Sequence, residues 1–329
     1  MKILVSGGAG YIGSMTVREL VSAGHEVTVF DNFSSGHREA VAGVSVIEGE
    51  LLRQEDLARA FARPLDAVIH FAALIQMGES MANPAKYYRN NVAGSLNLFQ
   101  AAVEHKVKML VFSSSAGVYG NPMRVPILEE DPKEPTNPYG ETKLVMERML
   151  RWFDTAYSLR SISLRYFNAA GAALDGTMGE DHPEESHLIP RVMQGILRGD
   201  REFNIFGKDY ETPDGTCVRD YIHIVDLARA HIMALEALSG GHPTGSYNCG
   251  TGRGYSNREV VEAVIRESSS GMGIVFGPRR PGDANELVAG VEKIKSALGW
   301  EPRHSELAEI ISTAWKWHLT HPSGYATPG

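Results

Sequence analysis

Tyr139 and Lys143 stand four residues apart in NPYGETKLVMERML, the run from Asn137 to Leu150. Positions i and i+4 share one face of a helix, so a phenol and an ammonium would lie side by side. That pair is either packing or a proton-transfer device. A free tyrosine titrates near ~10. One positive charge at about 4 Å, in an effective dielectric of ~20, is worth at most ~4 kcal/mol, or about three pKa units. A phenolate would then be within reach at neutral pH. Ser115 lies in FSSSAGVYG (Phe112–Gly120), where a hydroxyl could meet a substrate oxygen; a serine-rich turn is also common without chemistry. Together the three suggest carbonyl/alcohol chemistry, with Tyr139 exchanging a proton, Lys143 tuning it and Ser115 holding the oxygen.

A second signal stands at the N-terminal end. KILVS (Lys2–Ser6) runs into Gly7-Gly8-Ala9-Gly10-Tyr11-Ile12-Gly13, spaced G-x-x-G-x-x-G. Glycines let a backbone turn tightly and approach a pyrophosphate at a helix N-terminus. Asp31 ends the next strand, 18 residues past Gly13, followed by Asn32. A carboxylate there accepts from both ribose hydroxyls and repels a 2′-phosphate, which favours NAD over NADP. A turn is the plainer reading of Asp31-Asn32. Glu50 and Leu51 in EGEL, and Phe71, Ala72 and Ala73 in HFAAL, end further strands at the same rim. Ligands bind at that rim in open α/β sheets.

The elements that must position these residues alternate. Strand patterns at KILVS, EVTVF, VSVIEG, DAVIHFAA, KMLVFSSS and RSISLRYFN are separated by helical ones. The longest helical pattern, AKYYRNNVAGSLNLFQAAVEHK, follows Pro84 without a break. The strands are nearly continuous apolar runs, as burial on both faces requires. The expected fold is α/β, a Rossmann-type doubly wound parallel sheet with a smaller C-terminal α/β substrate domain. After Asn168 the Gly-, Ala- and acid-rich AAGAALDGTMGEDHPEES reads as a crossover loop. Residues 1–170 then form the dinucleotide-binding domain, with returning segments from the second half, and 171–329 the other.

The chain has 329 residues, 43% of them hydrophobic and 22% charged, with a formal charge of −8. A broad nucleic-acid surface is not expected at that charge. Neither Cys217 nor Cys249 sits in a C-x-x-C or zinc spacing, and no metal site is expected. The first residues carry no secretory or lipidation pattern, and no apolar run nears the roughly 20 residues of a membrane span. A cytoplasmic protein is the expectation.

Glycine loop, serine and Y-x-x-x-K, in that order, resemble the extended short-chain dehydrogenase/reductases. The finer resemblance is to the UDP-glucose 4-epimerase (UDP-galactose 4-epimerase) family. It rests on GGAGYIGS, FDN, HFAA…GES, YYRNNVAGSLNL, NPYGETK, LRYFNAAGA, the long IFGKDYETPDGTCVRDYIH and RRPGD, and spans nearly the whole chain. The resemblance implies interconversion of UDP-galactose and UDP-glucose. Hydride passes from sugar C4 to tightly bound NAD, the 4-keto sugar turns over, and hydride returns to the other face. It implies further cofactor contacts at Asn91, Ser113, Tyr139, Lys143, Tyr166 and Phe167. It implies substrate contacts at Ser115, Tyr139, Asn168, His187, Leu188, Asn204, Phe206, Arg219, Arg280 and Asp283. It also implies that a residue shortly after RRPGD, here Leu287, walls the pocket for the sugar's C2 substituent. A homodimer through the helices after Pro84 and Tyr139 is implied as well. Ile75, Met15 and Gly117 depart from residues often found in that family. A dehydratase would need an acid–base pair where Ala116 and Gly117 stand. A 4-epimerase of another UDP-sugar (N-acetylhexosamine, pentose or uronate) and a non-catalytic NAD-binding scaffold are the alternatives.

Overall fold

Strand β1 (Lys2–Ser6) sends Ile3 and Val5 into one apolar cluster and Leu4 into another. Both faces of the sheet it founds are therefore buried, and helices must cover each. The computed structural model describes residues 1–280 and 283–325. The other strands are β2 (Glu26–Asp31), β3 (Ser45–Glu48), β4 (Ala67–His70), β5 (Met109–Ser115), β6 (Arg160–Tyr166), β7 (Asn168–Ala170), β8 (Glu202–Phe206), β9 (Val218–His223), β10 (Gly245–Cys249), β11 (Gly254–Ser256), β12 (Gly273–Gly277) and β13 (Glu286–Leu287). The helices are α1 (Tyr11–Ser22), α2 (Gln54–Ala60), α3 (Met77–Ala82), α4 (Pro84–Tyr87), α5 (Gly94–Glu104), α6 (Pro138–Tyr157), α7 (Leu188–Arg198), α8 (Ile224–Ser239), α9 (Asn257–Glu267), α10 (Glu292–Leu298) and α11 (Leu307–Thr320).

Seven strands form one sheet in the order β10-β6-β5-β4-β1-β2-β3, every pair parallel. The chain leaves β1 toward β2 and β3, then reverses to β4, β5 and β6. The strand tips on either side of that switch diverge and leave a crevice. Strand β10 returns from the second half to close the β6 edge, preceded by α8, which packs on α1. A smaller sheet joins β11, β9, β13 and β7, and β12 pairs with β8. Its core, with Ile189, Val192, Val260 and Ile310, lies between α7, α9 and α11.

Three local readings change. β4 stops at His70, and Phe71–Ala73 run on as irregular backbone. The run after Pro84 is broken by a π-helical turn over Tyr88–Ala93 between α4 and α5. The sixth strand pattern splits after Tyr166, and β7 pairs with β9 in the second sheet. No described helix is long and apolar enough to cross a membrane.

Candidate active site

A cleft of about 380 Å³ runs along the C-terminal tips of the seven-stranded sheet. At one end Gly7–Gly13 join β1 to α1. The Asp31 carboxylate is 8% exposed and accepts from the Ala9 N–H and the Phe33 N–H, each at 2.9 Å. Burial pushes this carboxyl up, and the backbone N–H groups oppose that. Asn32 donates to Glu50 at 3.2 Å. Arg38, on the loop after β2, pairs with Glu48 and covers the Phe33 ring at 4.0 Å, so its charge is already matched. A methyl group added at Gly10 would meet only the Gly7 carbonyl oxygen, at 3.6 Å; that side of the loop faces open space. An open glycine backbone beside a buried carboxylate fits a dinucleotide with free ribose hydroxyls, as in NAD.

In the middle stand Ser115 and Tyr139. The Asn137 side chain caps α6, accepting from the Gly140 N–H at 2.9 Å, with Pro138 as the first helical residue. Tyr139 therefore enters the cleft from the first turn. A Cβ on Gly140 would lie 2.4 Å from the Gly117 carbonyl oxygen, so only glycine lets the turn Ala116–Tyr119 rest on this helix. At that contact Ser115 and the phenol converge: a Cβ on Gly117 would lie 3.3 Å from the Ser115 Oγ and 3.8 Å from the Tyr139 ring. Burial pushes Tyr139 up, and the neighbouring Ser115 hydroxyl opposes that. Lys143 lies beneath, 1% exposed, its Nζ donating to the Ser113 carbonyl at 2.7 Å and 5.8 Å from the Tyr139 ring centre. Burial takes its ammonium down to about 7, against the pull of Glu147. The expected depression of the phenol is thus absent in the protein alone. Lys143 is not among the groups that shift the phenol, and burial is the larger cause.

At the far end Arg219 on β9 lies 3.9 Å from Asp283 and donates to the Val218 and Ala284 carbonyls at 2.8 and 3.0 Å. Leu287 pairs in parallel register with Arg219. Asn168 donates to the Asp220 carbonyl at 3.1 Å. His187 Nδ1 donates to Glu180 at 2.6 Å. Burial would lower this imidazolium, but Glu180 and Glu185 outweigh it and bring it up to about 10.

Gly7, Gly10, Tyr11, Ile12, Gly13, Asp31, Asn32, Glu50, Leu51, Phe71, Ala72, Ala73, Ser113, Ser115, Tyr139, Tyr166, Phe167, Asn168, His187, Arg219, Asp283 and Leu287 all line this cleft. Asn91, Lys143, Leu188, Asn204, Phe206 and Arg280 are not among its lining residues. Asn91 is fully buried, holding Leu74 by both backbone groups at 2.8 and 3.0 Å and reaching Thr142 at 3.1 Å. It shapes the loop after β4, and Asn90 lines the cleft in its place. Asn204 is exposed on β8, and Arg280 stacks on Phe206 at 4.2 Å beside the cleft. Glu180, His182 and Thr136 line it without having been expected. Glu180, His182, Glu185 and His187 gather four potential ligand atoms within 4.8 Å of one another. Short links such as His182 to Glu185 at 3.1 Å make it an ion-pair network on this structure. Of the three departures, Ile75 and Gly117 face the cleft, and Met15 is buried against Ala173, Ile224 and Ala228.

Residues 3–250 match the family described as "NAD dependent epimerase/dehydratase family". The chain is 48% identical over 328 residues to the UDP-glucose 4-epimerase of Halalkalibacterium halodurans, covering 99% of this chain and 98% of that one. Among solved structures, the UDP-glucose 4-epimerase of Brucella ovis in complex with NAD superposes with a TM-score of 0.92 at 45% identity, covering 95% and 97%. That of Bifidobacterium longum in complex with NAD+ and UDP gives 0.93 at 38%, covering 99% and 100%. With such likeness along its whole length, this chain belongs to the NAD-dependent epimerase/dehydratase family and groups with its UDP-glucose 4-epimerases.

Proposed function

We propose that this chain interconverts UDP-galactose and UDP-glucose at sugar C4, using a tightly held NAD. One observation carries the reading. A single cleft joins the glycine loop and Asp31, the Ser115–Tyr139 pair, and the Arg219–Asp283 end. NAD bound at the first end supplies the acceptor and donor of the C4 hydride. Tyr139 takes the proton of the sugar 4-hydroxyl and later returns it, while Ser115 holds the same oxygen. Lys143 orients the phenol from below through its bond to Ser113. Arg219 offers charge to the diphosphate and Asp283 accepts from ribose hydroxyls, gripping the UDP end. The sugar end offers Leu287, Ala116 and Gly117, which hold loosely and leave a 4-keto sugar room to turn. Ala116 and Gly117 have no proton to give, which disfavours dehydration.

Residues 1–170, with α8 and β10 returning, serve the cofactor in this reading, and the rest of 171–329 serves the UDP-sugar. Exposed Leu96 on α5 and Trp152 and Tyr157 on α6 support a homodimer through these helices. Free, buried Cys217 and Cys249 accord with a reducing cytoplasm.

Purified protein given UDP-galactose without added NAD should form UDP-glucose, and denaturation should release about one NAD per chain. Release of NADP, or no epimerisation at saturating NAD, would end this reading.

The preferred sugar follows from Leu287. It lines the cleft and also packs against Val118, Tyr119, Ile127 and Leu144, so it serves both wall and core. UDP-galactose should be strongly preferred to UDP-N-acetylgalactosamine, with some leak, since a misfitted group costs such a pocket about 1–3 kcal/mol. Leu287→Ser should shift the ratio of kcat/KM values toward the N-acetylated sugar by about tenfold or more. An unchanged ratio removes Leu287 as the gate.

A further inference from the structure

A second cavity, of about 290 Å³, lies behind α6 and shares no lining residue with the active-site cleft. Leu144, Glu147, Arg148 and Arg151 of α6 line it, spaced i, i+3, i+4 and i+7 and so on one helix face. Its cations are Lys133, Arg148, Arg151, Arg165 and Lys293. Its carboxylates are Glu129 and Glu147 alone among the described residues, a surplus of three positive charges in a chain of net charge −8.

Some of that charge is matched. Arg165 holds Glu147 at 2.6 and 2.9 Å, and Lys293 reaches Glu130 at 3.4 Å. Among the described residues Lys133 donates only to the Glu129 backbone carbonyl, and burial together with Arg165 lowers its ammonium. Arg148 and Arg151 make no ion pair among the described residues. An independent observation points into the same space. Ser161, 1% exposed, is among the residues lining the cavity, and its buried hydroxyl has no hydrogen-bond partner among the described residues. A buried unpaired hydroxyl costs stability unless something in the cavity satisfies it.

We propose that this cavity binds a small phosphate-bearing anion, which takes charge-assisted hydrogen bonds from Lys133, Arg148 and Arg151 and one from Ser161. A phosphate suits the site better than a monocarboxylate. It carries more charge against the cations Lys133, Arg148 and Arg151, and its oxygens can accept from several directions at once. The volume admits orthophosphate with room for a further group.

The test is calorimetric titration of the NAD-loaded protein, saturated with UDP to occupy the active-site cleft. Orthophosphate, pyrophosphate and acetate are compared at constant ionic strength set by chloride. One saturable phosphate site per chain is expected for orthophosphate or pyrophosphate, the preferred one showing how much of the cavity the anion fills. Acetate should give none. Arg148→Ala/Arg151→Ala changes two exposed side chains and should weaken binding about tenfold or more, while turnover and the unfolding temperature stay as in wild type. Ser161→Ala should also weaken binding, independently of the surface charge. No saturable phosphate binding, equal binding of acetate, or wild-type affinity in both variants would overturn the proposal.

Discussion

Tyr139→Phe should lower kcat by about 10²–10⁴-fold, the usual contribution of a positioned general acid–base group. The substitution removes one hydroxyl and little else. The ring is 8% exposed and stays packed at the head of α6, whose cap at Asn137 does not involve it. NAD content and UDP affinity should therefore stay within about twofold of wild type, because only the proton-transfer group is lost. Ser115→Ala should cost less, since the phenol can still exchange its proton, but it frees the Gly117 N–H that Ser115 accepts at 3.1 Å. Steady-state kinetics with UDP-galactose, and NAD released on denaturation, give both readings from one preparation. Turnover near wild type in Tyr139→Phe would show that another group moves the proton.

The Tyr139–Lys143 relation was legible because a helix of fixed period, with Asn137-Pro138 at its head, leaves one geometry for i and i+4. The depth of Lys143 was not legible. Its side chain runs beneath the tyrosine to the Ser113 carbonyl, a partner 30 residues away on β5. The strands of the main sheet were readable from apolar runs, since burial on both faces leaves a composition signature. Asn91 shows where local periodicity fails. The π-helical turn over Tyr88–Ala93 inserts a wider turn in what reads as a continuous helix. A slip of that kind puts Asn90 on the cleft and Asn91 inside. Glu180 and His182 sit in an irregular acidic stretch with no period to read, and non-local contacts bring them to the cleft. β10 joins the sheet through pairing with β6, some 80 residues earlier, which no local pattern encodes.

Two alanine substitutions in the glycine loop should separate what the protein's own packing demands from what the cofactor demands. A Cβ built at Gly13 would lie 2.1 Å from the Gly7 carbonyl oxygen and 2.8 Å from the Gly8 Cα. Both are backbone atoms, and Gly7 is itself pinned, with φ at +71° and its own missing Cβ 2.4 Å from the Ala72 nitrogen. Gly13→Ala can be accepted only if α1 moves away from β1. That movement loosens the packing of Met15 against Ala173, Ile224 and Ala228, and it displaces the helix N-terminus that would face the pyrophosphate. Overpacking of this kind costs about 1–3 kcal/mol, occasionally more. The variant should therefore melt at a lower temperature even after NAD is stripped, and it should be purified with substoichiometric NAD. Gly10→Ala meets only one protein atom, at 3.6 Å, on the side open to the cleft. Its cofactor-free form should melt as wild type does, yet its NAD content should fall too, because the methyl occupies space the dinucleotide needs. Thermal melts of stripped and loaded protein, with NAD counted after denaturation, distinguish the two. Gly10→Ala retaining full NAD would mean that the pyrophosphate does not approach this residue. Gly13→Ala melting like wild type would mean that the loop can relax where the geometry says it cannot.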